Sequence, residues 1–284
     1  MAPSFTLEPF VAEDIESVDA LLKAAYNVQH SRAESLKRLV ILQRGGSFVA
    51  RQAQETVGFG GALDYGPFAY IGLMATHPRV QRQGIARAIL MEILGWLEKR
   101  NCPTVLLDAS VAGAPLYEHS GFIDNDITFV MQFSGPNPQK HDNIEEVLKE
   151  NELSELGSFD SRYFGADRTP LLKSYWEDDP RRFLISRDRA TNEIDGFLIV
   201  QSRTIGPWVA SNYSNSERLL RQSLTFRFED APFVYISASN TKALELLERY
   251  GFVVRRKLRH MYKGRYIERA RKTAIFGQAT LGFG

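Results

Sequence analysis

The run from Ala69 to Lys99 constrains the fold of this chain more than any other part of it. AYIGLMATHP (Ala69 to Pro78) is an apolar strand pattern, Gln81-Arg82-Gln83-Gly84 is a basic turn, and IARAILMEILGWLEK (Ile85 to Lys99) reads as a helix. In that helix Ile85, Ile89, Ile93 and Leu97 share one ridge while Glu92, Glu98 and Lys99 fall elsewhere, the pattern of a helix packed on a sheet. A buried strand that turns tightly into such a helix predicts an α/β fold. The turn also carries chemistry. Main-chain N–H groups at a helix start have no intrahelical acceptor, Gly84 has no Cβ to hold a ligand away, and Arg82 and Arg87 stand close by. Hydrogen bonding and the helix dipole together favour an anionic group there, and a pyrophosphate fits the span from Gln81 through Ile85 and Ala86 to Arg87.

Around this unit the N-terminal half alternates strand and helix signals. FTLEPF is followed by DIESVDALLKAAY and SRAESLKRLVILQ at helical spacing, with Gly45-Gly46 ending the second helix. SFVARQ and TVGFGGALDY predict a hairpin around Gln54 and Glu55. PTVLLDAS is a further strand, and a short helix and a last strand are expected to close the unit near Phe133. At 284 residues the chain is comfortable as two domains. A net charge of +1 gives no global field to recruit nucleic acid or an anionic membrane. No basic and apolar leader is legible at the start and no apolar stretch approaches the roughly 20 residues of a membrane span, so a cytoplasmic protein is expected. One cysteine excludes an intrachain disulfide, and no HExxH or paired CxxC spacing points to a metal.

SGPNPQKHDN (Ser134 to Asn143) is a Pro, Gly and Asn-rich break, read as a linker over 135–145 between units at 1–134 and 146–284. The second unit echoes the first. ISASNTKALELLERYGF (Ile236 to Phe252) parallels LDASVAGAPLYEHSGF (Leu107 to Phe122), Leu246 lies 130 residues after Leu116, and Ile205-Gly206 follows Ile71-Gly72 by 134. The copies differ where the chemistry is. VASNYSNSERLL (Val209 to Leu220) stands in place of the cradle without its glycine or basic turn, and Leu247 stands in place of Tyr117. One working site per chain is expected, in the first half.

These residues resemble the GCN5-related N-acetyltransferases, the GNAT family, whose acetyl-CoA loop has the form Gln/Arg-x-x-Gly-x-Gly/Ala. Gln81, Gly84 and Ala86 fill it, Met74-Ala75-Thr76 before His77-Pro78 is similar to the family's strand that pairs with pantetheine, and Leu116, Tyr117, Gly121 and Phe122 match its later Leu-Tyr-x-x-x-Gly-Phe segment. Many members carry Asn seven residues before that tyrosine, where this chain has Ser110. The second half, from GSFDSRYFGADRTPLL through IGPWVAS to HMYKG, looks like the degenerate C-terminal copy of a tandem subgroup.

The resemblance implies two mostly antiparallel sheets, each with a splayed strand pair flanked by helices. It implies acetyl-CoA as co-substrate, held by Met74, Ala75, Thr76 and the 81–87 turn, and direct attack of an amine on its thioester. A main-chain N–H near Met74 or Ala75 would polarise the thioester carbonyl and Tyr117 would protonate the departing thiolate. A phenol near pKa 10 gives a proton to a thiolate near 8.5 only when geometry assists it. The expected acceptor is a small-molecule amine, with a protein lysine or N-terminus as the alternative and a non-catalytic acyl-CoA sensor as a third reading. A tandem chain can stand in for a dimer, so a monomer is expected.

Several other residues have two readings. Asp108, at the end of PTVLLDAS, can serve as base for the amine or, like Ser110, cap the helix that follows. Tyr117 can instead be an aromatic packed on Phe122. His77 reads as solvent-facing and Cys102 as structural. The glycines of GFGGALDYG (Gly58 to Gly66) lack phosphate-loop spacing and suit close approach of a ligand or another backbone. The basic run Arg255 to Lys272 reads as a solvated face. Asp167 and Arg168 either line an acceptor cleft at the junction of the halves or form an internal ion pair.

Overall fold

The computed structural model describes residues 5–136, 146–267 and 272–284. In the first half β1 (Thr6–Pro9) leads through a single turn into α1 (Ile15–Tyr26), then α2 (Ala33–Leu42), β2 (Ser47–Gln52), β3 (Glu55–Asp64), β4 (Ala69–Thr76), α3 (Ile85–Lys99), β5 (Thr104–Ala109), α4 (Ala114–His119) and β6 (Ile123–Phe133). The second half contains β7 (Glu146–Val147), α5 (Leu153–Phe164), α6 (Thr169–Asp178), β8 (Phe183–Arg187), β9 (Ile194–Val200), β10 (Ile205–Ala210), α7 (Tyr213–Ser223), β11 (Phe233–Ser237), α8 (Thr241–Arg249), β12 (Phe252–Gly264) and β13 (Ile275–Gly277). Most of the 135–145 stretch read as a linker lies outside the described residues.

Local chemistry accounts for the element boundaries. Asn27 ends α1 in the left-handed conformation, its N–H bonded to the Lys23 carbonyl, and α3 stops at Arg100 ahead of left-handed Asn101. The β2–β3 turn falls on Ala53 and Gln54, both at positive φ, one residue earlier than the pattern suggested. A two-residue turn twisted to suit a hairpin needs both central residues left-handed, and Glu55 already pairs with Gln52. Gly58 and Gly60 sit inside β3. A Cβ at Gly58 would stand 2.5 Å from Ile85 Cγ2, and one at Gly60 would run first into Met74 Sδ and then into Ile89 Cγ2 at 2.8 Å, so these glycines admit α3 and the Met74 side chain.

The described strands form an eight-stranded sheet in the order β1-β2-β3-β4-β5-β12-β6-β11 and a five-stranded sheet in the order β13-β10-β9-β8-β7. Pairing is antiparallel except for β4 with β5 and a single parallel bridge, Thr204 to Phe233, between the β10 and β11 regions. This mixed α/β architecture agrees with the expectation, but the closing of the first unit does not. β6 does not lie beside β5. β12 from the second half takes that place, pairing His260 with Asp108 and Met261 with Leu107, while β6 pairs with β11 on its other side. The halves therefore exchange their long strands, which local patterning cannot announce because an exchanged strand keeps the same apolar alternation. The basic run from Arg255 is accordingly a central strand, with Arg259 bonded to Glu118 and Asp124. Residues 268–271 of that run lie outside the described residues.

Side chains of α3 and α4 cover one face of the large sheet, with Ile85, Ile89, Ile93 and Leu97 at 0–1% exposure. Each such burial contributes about 1.5–3 kcal/mol. The opposite face packs against α1, α2, α5 and α6. Alternation along β5 divides its side chains: Val105, Leu107 and Ala109 face α3, whereas Leu106 joins Tyr70 and Phe164 on the other side. Asp108 shares the face of Leu106. Among the described residues no helix is long and apolar enough to cross a membrane.

Candidate active site

β4 and β5 pair only through Ala69 with Val105, Tyr70 with Leu106 and Ile71 with Leu107, and then part. The separation begins where β4 is bulged. Leu73 adopts φ +56, and the β3 register slips between Phe59, opposite Ala75, and Gly61, opposite Gly72. Beyond the bulge, Ala75 and Thr76 pair with Phe59 and Gly58 of β3, and none of Met74, Ala75 and Thr76 pairs with β5. Thr76 Oγ1 is buried and has no hydrogen-bond partner among the described residues. Tyr26, at the end of α1, donates its hydroxyl proton to the Met74 carbonyl at 3.2 Å, and it lies close enough to Tyr117 for the two phenols to influence each other. Tyr26 was not anticipated, since nothing in a terminal helical tyrosine distinguishes it from an ordinary amphipathic position.

The strand leads through His77 to the turn. His77 Nδ1 accepts from the Arg79 backbone at 3.3 Å, so it caps a single turn while staying partly exposed. Arg82 is left-handed at φ +64 and Gly84 at φ +83, and Gly84 precedes α3 with no side chain capping the helix. Left-handed residues alternating with a right-handed one at an uncapped helix start form a concave set of amides. Gln81, Arg82, Gln83, Gly84 and Arg87 are exposed, Ala86 is half-buried and Ile85 is buried in the core. A Cβ at Gly84 would meet nothing within 4 Å, so the space before these amides is open. The turn, the splay and the orphaned hydroxyl together suit a pyrophosphate with an extended arm.

The second half is built differently at the same places. α7 begins two residues after β10, and Asn212 caps it, its side chain accepting from the Asn215 N–H at 2.9 Å. The gap between β10 and β11 is filled: β13 pairs with β10, the Gln278 N–H bonds to the Tyr235 carbonyl of β11 at 2.9 Å, and the fully buried Trp208 packs on Phe276.

Tyr117 is 8% exposed on α4, its ring set edge-on to Phe122 at 5.8 Å, and its hydroxyl has no hydrogen-bond partner among the described residues. Burial, reinforced by Tyr26, pushes its pKa well above that of a free phenol, so it stands as a neutral proton donor and never as a phenolate base. The packing role and the availability of the hydroxyl coexist.

Asp108 does not cap α4. Nor does Ser110, whose Oγ accepts from the Gly113 N–H at 3.1 Å in the turn before α4; Gly113 is the N-cap and no side chain caps the helix. The Asp108 side chain is fully buried and takes three donors from distant strands: the Tyr70 hydroxyl of β4, Thr128 Oγ1 of β6 at 2.6 Å, and His260 Nδ1 of β12 at 3.0 Å. Burial alone would raise its pKa. The hydrogen bond and charge of His260, with the two hydroxyls, outweigh that and hold the carboxyl below its ordinary value. His260 was missed because its place opposite Asp108 exists only through the strand exchange.

Arg168 forms the internal ion pair that one of its two readings expects, with Asp160 as its partner rather than Asp167. It forms a two-pronged pair with Asp160, both bonds 2.8 Å and both side chains 1% exposed, while Asp167 Oδ1 accepts from the N–H of Thr169, the first residue of α6, at 2.8 Å. It also lines a cavity of about 40 Å³ between the halves, with Asp126, Thr128, Ser237, His260 and Gly284. Cys102 bonds its Sγ to the Thr104 carbonyl, and burial pushes the thiol pKa up, the opposite of what a nucleophile needs. Among the described residues no group of three or more His, Cys, Asp or Glu could hold a metal ion.

Comparison with known proteins agrees with this geometry. Family models described as acetyltransferase (GNAT) domains match residues 11–133 and, separately, 157–277. No curated protein matches the sequence. Among solved structures the chain is similar to a candidate acetyltransferase from Pyrococcus horikoshii, with 26% identity over 100% of this chain and 97% of that one and a TM-score of 0.87. It shares its fold with a GCN5-related N-acetyltransferase from Sphaerobacter thermophilus (17% identity, 93% and 96% covered, TM-score 0.70). The same holds for one from Anabaena variabilis (17% identity, 91% and 72% covered, TM-score 0.60). With both halves matched, the chain belongs to the GNAT acetyltransferases, enzymes that draw an acyl group from acetyl-CoA, and it carries two such domains in tandem.

Proposed function

We propose that the protein is an acetyl-CoA-dependent N-acetyltransferase with one working site, in residues 1–134, that acetylates a primary amine of a small molecule by direct attack in a ternary complex. Residues 135–145 serve as linker, and 146–284 form a degenerate copy that shapes the acceptor side. The contrast between the two clefts carries this reading. The first has an open splay leading to an uncapped, left-handed glycine turn, whereas β13 and Trp208 fill the second and Asn212 caps its helix. Strand exchange inside one chain supplies the contacts a second copy would otherwise provide, which favours a monomer. A lone, half-buried cysteine suits a reducing cytoplasm.

When bound, acetyl-CoA supplies an activated thioester. The amides from Gly84 to Arg87 hold its pyrophosphate, with Gln81, Arg82 and Gln83 around them, and the free edge of Met74, Ala75 and Thr76 holds the extended arm. A main-chain N–H at the bulge stabilises the oxyanion. Tyr117, neutral in its buried setting, gives its proton to the departing sulfur. Asp108 assists deprotonation of the amine from behind, since all its donors come from the protein. No metal takes part in this scheme.

Calorimetry with acetyl-CoA, followed by CoA-thiol release on a panel of small amines beside a peptide library, tests the reading. Binding with turnover on small amines is the expected result. Turnover confined to peptides would reassign the acceptor to protein amines, and tight binding with no turnover would make the protein an acyl-CoA sensor.

A further inference from the structure

Two guanidiniums meet around Tyr26, and neither has an acidic partner among the described residues. The first belongs to Arg32, immediately before α2. Its Cζ stands 5.9 Å from the centroid of the Tyr26 ring, and its Nε is buried without a hydrogen-bond partner. Asp19 does not neutralise it. That carboxylate takes the Arg32 main-chain N–H at 2.5 Å, the Ser31 hydroxyl at 3.0 Å and the Lys23 ammonium at 2.7 Å, so it fixes where the loop ends and leaves the guanidinium free.

The second guanidinium, that of Arg256, arrives from the other half through the strand exchange. Ile71 of β4, Leu107 of β5 and Met261 of β12 share one rung. Five residues further along each outer strand, Thr76 and Arg256 lie at the same end of the sheet, beyond Ala109, the last β5 residue paired with β12. Alternation from His260 through Leu258 places Arg256 on the face that carries α1. Its charge reaches Tyr26: burial pushes that phenol up to about 12, against the pull of Arg32 and Arg256. The basic neighbours on β12 are engaged, Arg255 with Gln132, Lys257 over the Phe129 ring and Arg259 with Glu118 and Asp124. Arg256 is exposed and has no hydrogen bond or ion pair among the described residues.

Tyr26 ties both charges to the acyl-transfer end of the sheet. Its hydroxyl donates to the Met74 carbonyl at 3.2 Å, it is close enough to Tyr117 to influence it, and its ring is partly open to solvent. The acidic groups on this side are already taken: Asp230 and Glu229, which His30 senses, both pair with Arg203. A mouth with two uncompensated cations repels a bare ammonium and attracts a molecule that carries an anion as well. The planar fork of a guanidinium matches the oxygens of a carboxylate or phosphate. We propose that Arg32 and Arg256 determine specificity by gripping an oxyanion on the acceptor, so that the amine acetylated here belongs to a small molecule that also bears a carboxylate or phosphate. This rests on the acyl-transfer reading above. One cation comes from each half, which gives the second half a direct part in recognising the acceptor.

The test uses the full chain, Arg32→Gln, Arg256→Gln and matched acceptors: the common L-amino acids beside their carboxamides, and phosphoethanolamine beside ethanolamine. Read as CoA-thiol release, wild-type kcat/KM is expected to be at least about tenfold higher for an anionic acceptor than for its neutral counterpart. Whichever of the carboxylate and phosphate members leads names the anion. Each variant should lose at least about tenfold on that acceptor, mostly through KM, and far less on the neutral counterpart. Acetyl-CoA affinity, read by calorimetry, is expected to stay within about threefold in both variants. A large loss there would assign the cations to the cofactor and overturn the proposal. Neutral acceptors that serve as well as anionic ones, or equal losses on both members of a pair, would overturn it too. Should no acceptor turn over, the wild-type protein labelled with ¹⁵N-arginine and loaded with CoA still decides. Movement of the Arg32 and Arg256 Nε signals on adding the anionic amines but not the neutral ones supports the proposal, and static signals overturn it. A wild-type protein that does not bind acetyl-CoA would remove the acyl-transfer reading itself. Intact binding without preference for an anionic acceptor removes only the oxyanion site.

Discussion

Replacing Gly84 by alanine separates the two reasons for a glycine there. At φ +83 an L-residue pays about 1–2 kcal/mol for the left-handed conformation. The Cβ itself would touch nothing within 4 Å, so no further steric cost arises in the free protein. Thermal unfolding of Gly84→Ala should therefore drop by only a few degrees, at roughly 2–4 °C per kcal/mol for a chain of this size. In the complex, the methyl would occupy the space expected to hold a phosphate oxygen. Losing one charge-assisted bond to a main-chain amide costs about 1.5–3 kcal/mol, or roughly 10- to 150-fold in Kd. Calorimetry with CoA on the variant, beside its melting curve, reads both quantities. Gly84→Glu adds a like charge and should bind more weakly still. A Gly84→Ala protein that melts slightly lower yet binds CoA within threefold of wild type would refute the cradle, leaving the glycine a purely conformational role.

Tyr117→Phe should lower turnover at least about tenfold while acetyl-CoA affinity, measured by calorimetry, barely changes; equal turnover would remove the phenol from the mechanism. Arg168→Met strands a fully buried Asp160 carboxylate and should cost about 3–5 kcal/mol in urea unfolding, most of it recovered in the double variant Arg168→Met/Asp160→Leu. Asp108 has a folded pKa below its unfolded value of 3.8, so its ionisation contributes stability above that pH and loses it as pH falls through the folded pKa. The gap in melting temperature between wild type and Asp108→Asn should stay level from neutrality to about pH 4 and narrow below it. A gap that widened on acidification would reverse the direction of the shift.

Short-range chemistry made much of the first half legible from sequence. The strand Ala69–Thr76 and the helix Ile85–Lys99 have the extents their apolar spacing predicts, because each is bounded by residues that break its own periodicity, Pro78 and Gly84 on one side and Pro103 beyond. The open turn at Gly84 was legible for the same reason, since a left-handed position before a helix selects glycine locally. Two copies were visible as recurring strings, and the missing glycine and tyrosine of the second copy marked where they diverge. The hairpin was misplaced by one residue, since Ala53 and Gln54 adopt positive φ without the Asn or Gly that would signal it.

Tertiary structure alone decided which strand lies beside which and therefore what surrounds Asp108. Its partners Tyr70, Thr128 and His260 come from three strands, one of them in the other half of the chain. An exchanged strand satisfies the same main-chain bonds and buries the same alternating face as an unexchanged one, so no local preference records the choice. Packing of the whole chain settles it, and with it whether a carboxylate at the end of a strand faces solvent, caps a helix or anchors a histidine.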